Sequence, residues 1–346
     1  MPKILSQYKN TYSFGYKTRV MKINKKNILM DKLANEWLEI GSKILNPEQI
    51  FGNILHEGEV GILFSNTGKG KSILAVQLAD AISNGKPILG LNSKKNKVIY
   101  FDFELSTKAF QQRYSTDNST LHKFSDEFIR VEIDRNENLE NDKKSFEQLI
   151  IESIEDHVST SKAGVIIIDN LSFISASNEK THEALALMKL VLALSRKDKL
   201  SILLIAHTPK RDIYTPLQLE DLAGSKALSN FVDVCFCIGE SIQGNDIRYI
   251  KQLKNRNYPI EFGADNVINC QITKDNSFLK FDFLDFGSEK SHLQQTDNGT
   301  DIIKYQEVRD LKESGKSNVE IAKTFKCNEK TIRRWLKKSG HTEPTQ

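Results

Sequence analysis

Residues 60–82 constrain this chain more than any other stretch. An unbroken apolar run, Val60-Gly-Ile-Leu-Phe64, passes through Ser65-Asn-Thr-Gly-Lys-Gly-Lys-Ser72 into a segment carrying Leu74, Leu78, Ala81 and Ile82 at helical spacing. A strand that ends in a glycine-rich turn and reopens at once as a helix points bare backbone N–H groups, and the positive end of a helix dipole, at one spot. That arrangement binds phosphate. Lys71 adds a point charge for the β and γ phosphates of a triphosphate, and Ser72 offers a hydroxyl to Mg²⁺. The candidate phosphate-contacting residues are therefore Ser65, Asn66, Thr67, Gly68, Lys69, Gly70, Lys71 and Ser72. One position departs from G-x-x-x-x-G-K-[ST]: Ser65 stands where the pattern has glycine.

Such a turn needs a second metal-shell carboxylate, delivered by a neighbouring strand at the same edge of the sheet. Asp169 closes the apolar run Val165-Ile-Ile-Ile168 and is the candidate, with Ser72, for the metal. Hydrolysis also needs a group that orients or deprotonates water. Glu104, at the end of Val98-Ile-Tyr-Phe-Asp-Phe-Glu104, is the candidate, and Asp102, two residues earlier on the same pleat face, is its rival.

From about Gly58 to Phe283, short β-branched or aromatic runs alternate with segments of helical period, which predicts an α/β domain with a mostly parallel, twisted sheet. Strands are expected over 60–64, 98–103, 128–133, 165–169, 202–206, 234–238 and 249–254, followed by antiparallel hairpins at the sheet edge. The domain is placed at 31–286, after a basic arm over 1–30 that holds seven Lys and Arg and no acid. Residues 287–300, polar and without apolar period, read as a linker to a small all-α domain at 301–340. Residues 301–346 carry 11 Lys and Arg against 7 Asp and Glu, whereas the rest of the chain carries 38 of each, so the whole net charge of +4 lies in the tail. That asymmetry points to a nucleic-acid partner. The longest apolar runs fall far short of the ~20 residues that cross a bilayer, so no membrane span is expected. Four cysteines without paired spacing predict neither disulfides nor a zinc site and suit a reducing, cytoplasmic setting.

The ordered stretches Phe64-SNTGKGK-Ser72, FDFELS with Arg113 downstream, VIIIDN, Ser201-ILLIAHTP-Lys210, Leu222-AGSKA-Leu228 and Ile250-KQLKN-Arg256 resemble the RecA-like ATPases. Those include the DnaB-type replicative helicases and, more closely, the plasmid RepA-type hexameric helicases. The likeness covers about residues 30–285 and implies a RecA-like P-loop NTPase that uses ATP and Mg²⁺ in a homo-oligomer, such as a hexamer. It implies Glu104 as the water-activating acid and His207, with Thr208 as the motif-matched alternative, as the γ-phosphate sensor. It also implies that Lys254 and Arg256 reach from one subunit into its neighbour's site. Loops facing a central channel would bind single-stranded DNA, with Lys210 and Arg211 in one of them.

In the tail, Ile303, Val308 and Leu311, then Val319, Ile321, Ala322 and Phe325, then Ile332, Trp335 and Leu336 recur at helical spacing. The phrase Ser317-NVEIAKTFKCNEKTIRRWLK-Lys338 resembles the helix-turn-helix ends of resolvases and transposases, whose third helix enters the major groove of duplex DNA. Lys330, Thr331, Arg333, Arg334, Lys337 and Lys338 are its candidate DNA contacts. A basic-faced protein-docking bundle is the alternative. Together these readings predict an ATP-hydrolysing DNA motor of a plasmid or mobile element, the alternative being an ATP-switched DNA-binding regulator that unwinds nothing.

Overall fold

The computed structural model describes residues 30–134, 144, 146–170, 188, 191–196, 199–208, 214–222, 225–293, 299–325 and 327–338. The chain divides into two units, residues 1–46 and 47–346. In the first unit a single helix, α1 (Ala34–Ser42), is described; it buries no side chain, and Trp37, Leu38 and Ile40 are exposed. The second unit begins at Pro47.

The second unit opens with a small antiparallel pair, β1 (Gln49–Phe51) and β2 (Leu55–His56). Then come β3 (Val60–Ser65), α2 (Lys71–Asn84), β4 (Val98–Asp102), α3 (Thr107–Arg113), the short pair β5 (Ser115–Thr116) and β6 (Thr120–Leu121), β7 (Phe128–Val131) and α4 (Phe146–Ser161). β8 (Val165–Asp169), β9 (Ser201–His207), β10 (Val234–Glu240), β11 (Ile247–Asn255), β12 (Val267–Asp275) and β13 (Phe278–Gly287) complete the strands. Among the described residues one nine-stranded sheet runs β13-β12-β11-β10-β3-β9-β8-β4-β7. The six strands from β10 to β7 are parallel, and β11, β12 and β13 are antiparallel.

The parallel strands are continuous hydrophobic runs because both faces are covered. In β3, Leu63 packs with Leu74, Ala75 and Leu78 of α2 on one face, while Ile62 and Phe64 pack with Ile154 of α4, Met188 and Val191 on the other. β4 stops at Asp102, one residue short of expectation, since Asp102 Oδ1 accepts the backbone N–H groups of Glu104 (3.2 Å) and Leu105 (2.9 Å) and turns the chain there. The late strands curl back. Gln77 of α2 exchanges two 2.8 Å hydrogen bonds with the backbone of Phe281, so β13 lies across the helix that opens at the glycine-rich turn.

Residues 287–293, within the stretch read as a linker, pack against the sheet. Glu289 is buried, accepting from Lys251 Nζ (2.6 Å), Tyr249 Oη (2.9 Å) and the Leu217 N–H (3.1 Å). His292 is buried between Ser241 Oγ (2.8 Å) and Asn269 Oδ1 (2.6 Å). The polar composition that suggests solvent exposure is consumed in internal hydrogen bonds, including a short helix, Lys290–Leu293.

Three further helices follow, Gly299–Glu313, Asn318–Thr324 and Glu329–Lys338. Gly315 (φ 89°) ends the first, Ser317 caps the second with Glu320 reaching back to the Ser317 N–H (2.8 Å), and Asn328 Oδ1 caps the third through the Thr331 N–H (2.8 Å). Val308, Ile321, Ala322, Ile332 and Leu336 form their own core, with Trp335 and Phe325 packed on it. Val319, expected inside, is exposed in the first turn of its helix. No described helix is long and apolar enough to cross a membrane.

Candidate active site

Parallel registration brings the predicted residues to one edge of the sheet. Ser65 lies opposite His207 on β9, Ile205 opposite Asp169 on β8, and Asp169 opposite Asp102 on β4. The C-terminal ends of four adjacent strands thus meet beside the turn at residues 66–70, as expected for a ligand crevice in an open α/β sheet.

Gly68 and Gly70 hold φ of 75° and 106°, which an L side chain rarely adopts. A Cβ on Gly70 would also lie 2.6 Å from Phe281 Cζ. Ser65, by contrast, is the last residue of β3 and lies outside the positive-φ set, so the motif's missing glycine imposes no backbone strain. Its hydroxyl donates to the Asn66 carbonyl at 3.0 Å. Lys71 is buried, and its Nζ donates to the carbonyls of Ser65 (3.1 Å) and Asn66 (3.0 Å). Burial pulls its pKa below that of an ordinary lysine, against the attraction of Asp169 and Glu104.

Asp169 is fully buried. Tyr100 Oη donates to its Oδ2 at 2.7 Å, while Oδ1 is buried without a hydrogen-bond partner. Burial pushes its pKa up to about 6, although the side chains of Ser72 and Tyr100 hold it down. A buried carboxylate oxygen lacking a partner, with the Ser72 side chain beside it, fits a hard divalent cation that prefers oxygen ligands.

Of the two candidate acids Asp102 and Glu104, Asp102 is engaged by Arg130 on β7. Its Nε donates to Asp102 Oδ2 at 2.9 Å, NH2 donates to the Leu105 carbonyl at 2.7 Å and NH1 to Glu132 at 2.9 Å. With both oxygens engaged, Asp102 shapes the loop and is committed to it. Glu104 remains 38% exposed and accepts from Asn170 Nδ2 while His207 Nε2 lies 3.0 Å from the same oxygen. His207 and Glu104 therefore converge, whereas Thr208 turns to the phosphate loop, donating to Asn66 Oδ1 at 2.6 Å. A cavity of about 740 Å³ lies past the end of β4, lined by Asp102, Leu105, Thr107 and Glu132 among others, and its lining includes none of the turn residues.

Lys254 and Arg256 are not brought to this point. β11 runs antiparallel to β10, so both lie at the opposite edge of the sheet. There Lys254 Nζ donates to the carbonyls of Ser229 (2.6 Å) and Val232 (2.7 Å), and Arg256 pairs with Asp233 (3.2 Å) and the Asn230 carbonyl (2.9 Å). These partners cap the end of the helix Ser225–Phe231. Lys210 and Arg211 lie outside the described residues, as do the side chains of Lys337 and Lys338. On the last helix Lys330, Arg333 and Arg334 are held away from its core; Arg333 pairs with Glu329 at 2.6 Å, and the Thr331 hydroxyl is taken by Asn328 at 2.9 Å.

Two residues absent from the sequence reading complete the turn. Glu240, ending β10, accepts from Asn66 Nδ2 (2.7 Å) and pairs with Lys69 Nζ (2.6 Å), and Arg248 Nε donates to the Lys69 carbonyl (3.3 Å). Both come from strands more than 170 residues downstream, so no local pattern joins them to the turn. The one sequence signal is an acid closing an apolar strand, the same signal that marks Asp169.

Residues 31–212 match the family described as AAA domain. No curated protein matches the chain. The matched stretch holds the turn, Glu104, Asp169 and His207, and spans more than half of the 346 residues. With a large central sheet carrying a phosphate-type turn at its C-terminal edge, the chain belongs to the AAA domain family, a family of the P-loop ATPase type.

Proposed function

We propose that this protein is a RecA-like ATPase that hydrolyses ATP with Mg²⁺ and works as a DNA motor, helicase-like, of a plasmid or mobile element. The observation that carries the reading is the meeting of Lys71, Ser72, Asp169, Glu104 and His207 at adjacent strand ends. In it the backbone N–H groups of residues 66–72 receive the β and γ phosphates, and Lys71 exchanges its two carbonyl partners for phosphate oxygens. Ser72 and Asp169 would hold Mg²⁺, which neutralises charge on the phosphates. Glu104, held by Asn170 and facing His207, orients the attacking water and accepts its proton. His207, 3.0 Å from Glu104, would register departure of the γ-phosphate.

Lys254 and Arg256 would enter a site only from a second copy, exchanging their present carbonyl partners for phosphate; hydrolysis would then depend on assembly. Lys330, Arg333 and Arg334, on the last helix and outside its core, support a helix-turn-helix that recruits the protein to duplex DNA. Single strands would run through the ring past the segment holding Lys210 and Arg211. The engagement of Lys254 and Arg256 within their own chain equally suits a second reading, an ATP-switched DNA-binding regulator that unwinds nothing.

ATPase rate with and without single-stranded DNA, with strand displacement from a forked duplex, tests both. A motor shows stimulated turnover and displacement; Lys71→Ala and Glu104→Gln each lower turnover by ~10²-fold or more, and only the former weakens ATP binding. Unchanged hydrolysis in Lys71→Ala rejects the site. Hydrolysis without displacement or stimulation leaves the regulator.

A further inference from the structure

The turn at residues 66–70 is held from outside by a chain of polar contacts that catalysis as described does not use. Thr208 Oγ1 donates to Asn66 Oδ1 at 2.6 Å, Asn66 Nδ2 donates to Glu240 Oε1 at 2.7 Å, and Glu240 Oε2 pairs with Lys69 Nζ at 2.6 Å. Two further struts run to backbone carbonyls, from the Thr208 N–H to that of Ser65 (3.2 Å) and from the Arg248 side-chain Nε to that of Lys69 (3.3 Å). The Asn66 amide is thus used at both ends, its oxygen toward β9 and its nitrogen toward β10, the two strands that flank β3. Thr208 is 7% exposed and the Glu240 side chain 19%, so these bonds are partly shielded from water, where a charge-assisted contact is stronger than on an open surface. Burial alone would raise the Glu240 pKa, yet the bonds from Lys69 and Asn66 hold it below the ordinary glutamate value.

A glycine-bearing turn binds phosphate well only if its N–H groups already converge; an unrestrained turn loses its freedom on binding and so binds less tightly. Gly68 and Gly70 make this turn intrinsically permissive, and something outside it must hold it. We infer that Glu240 is a positioning residue of the phosphate turn: by gripping Asn66 and Lys69 it pre-forms the nucleotide-binding conformation and, through Asn66, ties that conformation to Thr208 at the end of the strand carrying His207. The inference rests on the ATP-binding reading of this turn.

Its signature is a change in nucleotide affinity with little change in the chemical step. In the full-length protein with Mg²⁺ and a fluorescent ATP analogue, Glu240→Gln keeps an acceptor for Asn66 but removes the charge facing Lys69, and raises Kd and KM about tenfold while kcat changes by less than about twofold. Asn66→Asp places a second acid against Glu240 and weakens binding by a similar factor. The double variant Asn66→Asp/Glu240→Gln restores most of the affinity, because the amide introduced at position 240 can donate to the new carboxylate, which also pairs with Lys69. Lys69→Met breaks the same pair from its more exposed side and reads the same quantity should Glu240→Gln fail to fold. Unchanged Kd in Glu240→Gln or Lys69→Met, or a double variant no better than the worse single, overturns the inference. A wild-type protein that binds no ATP analogue, with Lys71→Ala indistinguishable from it, overturns the ATP-binding reading instead.

Discussion

Asp169 is buried with one oxygen bonded by Tyr100 and the other without a partner, so in the metal-free chain its ionised form is held at a cost. Burial raises its pKa from the ordinary 3.8 to about 6. The folded state therefore binds the proton more tightly than the unfolded one, and the resulting stabilisation is complete below the unfolded value and lost as pH rises through about 6. In metal-free buffer the unfolding midpoint should fall between about pH 5 and about pH 7, with this carboxyl contributing on the order of 1–3 kcal/mol. Asp169→Asn should flatten that dependence and raise metal-free stability near neutrality while removing Mg²⁺-dependent nucleotide binding; calorimetry of both proteins at the two pH values checks it. A variant as pH-sensitive as wild type would contradict the assignment. A charge tolerated at a stability cost and placed where a cation is needed is the trade-off expected at a working site.

The element scale shows which structure is legible in a sequence and which is not. β3 and α2 are readable because both the apolar runs and the glycine turn between them are local, and β8 because Val165–Asp169 is β-branched and closes on an acid. The engagement of Asp102 is not readable: it depends on Arg130, which arrives from β7. Nor is the burial of Glu289 and His292, whose polar side chains find partners on β11 and β12 and at Ser241, just past β10. β13 is the clearest case. Its sequence reads as a hairpin at a sheet edge, which it is, and nothing local shows that its Phe281 also packs against Gly70 and bonds to Gln77, 204 residues earlier. Gly70→Ala should therefore fail twice, through its φ of 106° and through the Phe281 ring, costing about 1–3 kcal/mol and weakening nucleotide binding. Thermal unfolding and nucleotide titration of that variant measure both, and a neutral substitution would mean that β13 is not seated on the turn.

Across the whole molecule, charge and chemistry are segregated, with the excess positive charge in the last 46 residues and the phosphate turn near the front of the sheet. If the last helix binds duplex DNA, Arg334→Ala should lower affinity and reduce the slope of log K against log salt by about 1, leaving the basal ATPase rate unchanged. Fluorescence anisotropy across a salt series tests this, and an unaltered slope would remove Arg334 from the contact set. The order of the strands carries a further consequence for how the chain is made. Every residue of β3 is buried, and one of its two flanks is closed by β10, which is synthesised about 170 residues later and lies beyond the stretch matched to the family. A fragment cut near residue 212 would leave an apolar strand with a bare hydrogen-bonding edge, prone to self-association. The ribosome faces the same hazard, holding that unfinished edge until Val234–Glu240 emerges, so productive folding of this protein waits on its second half.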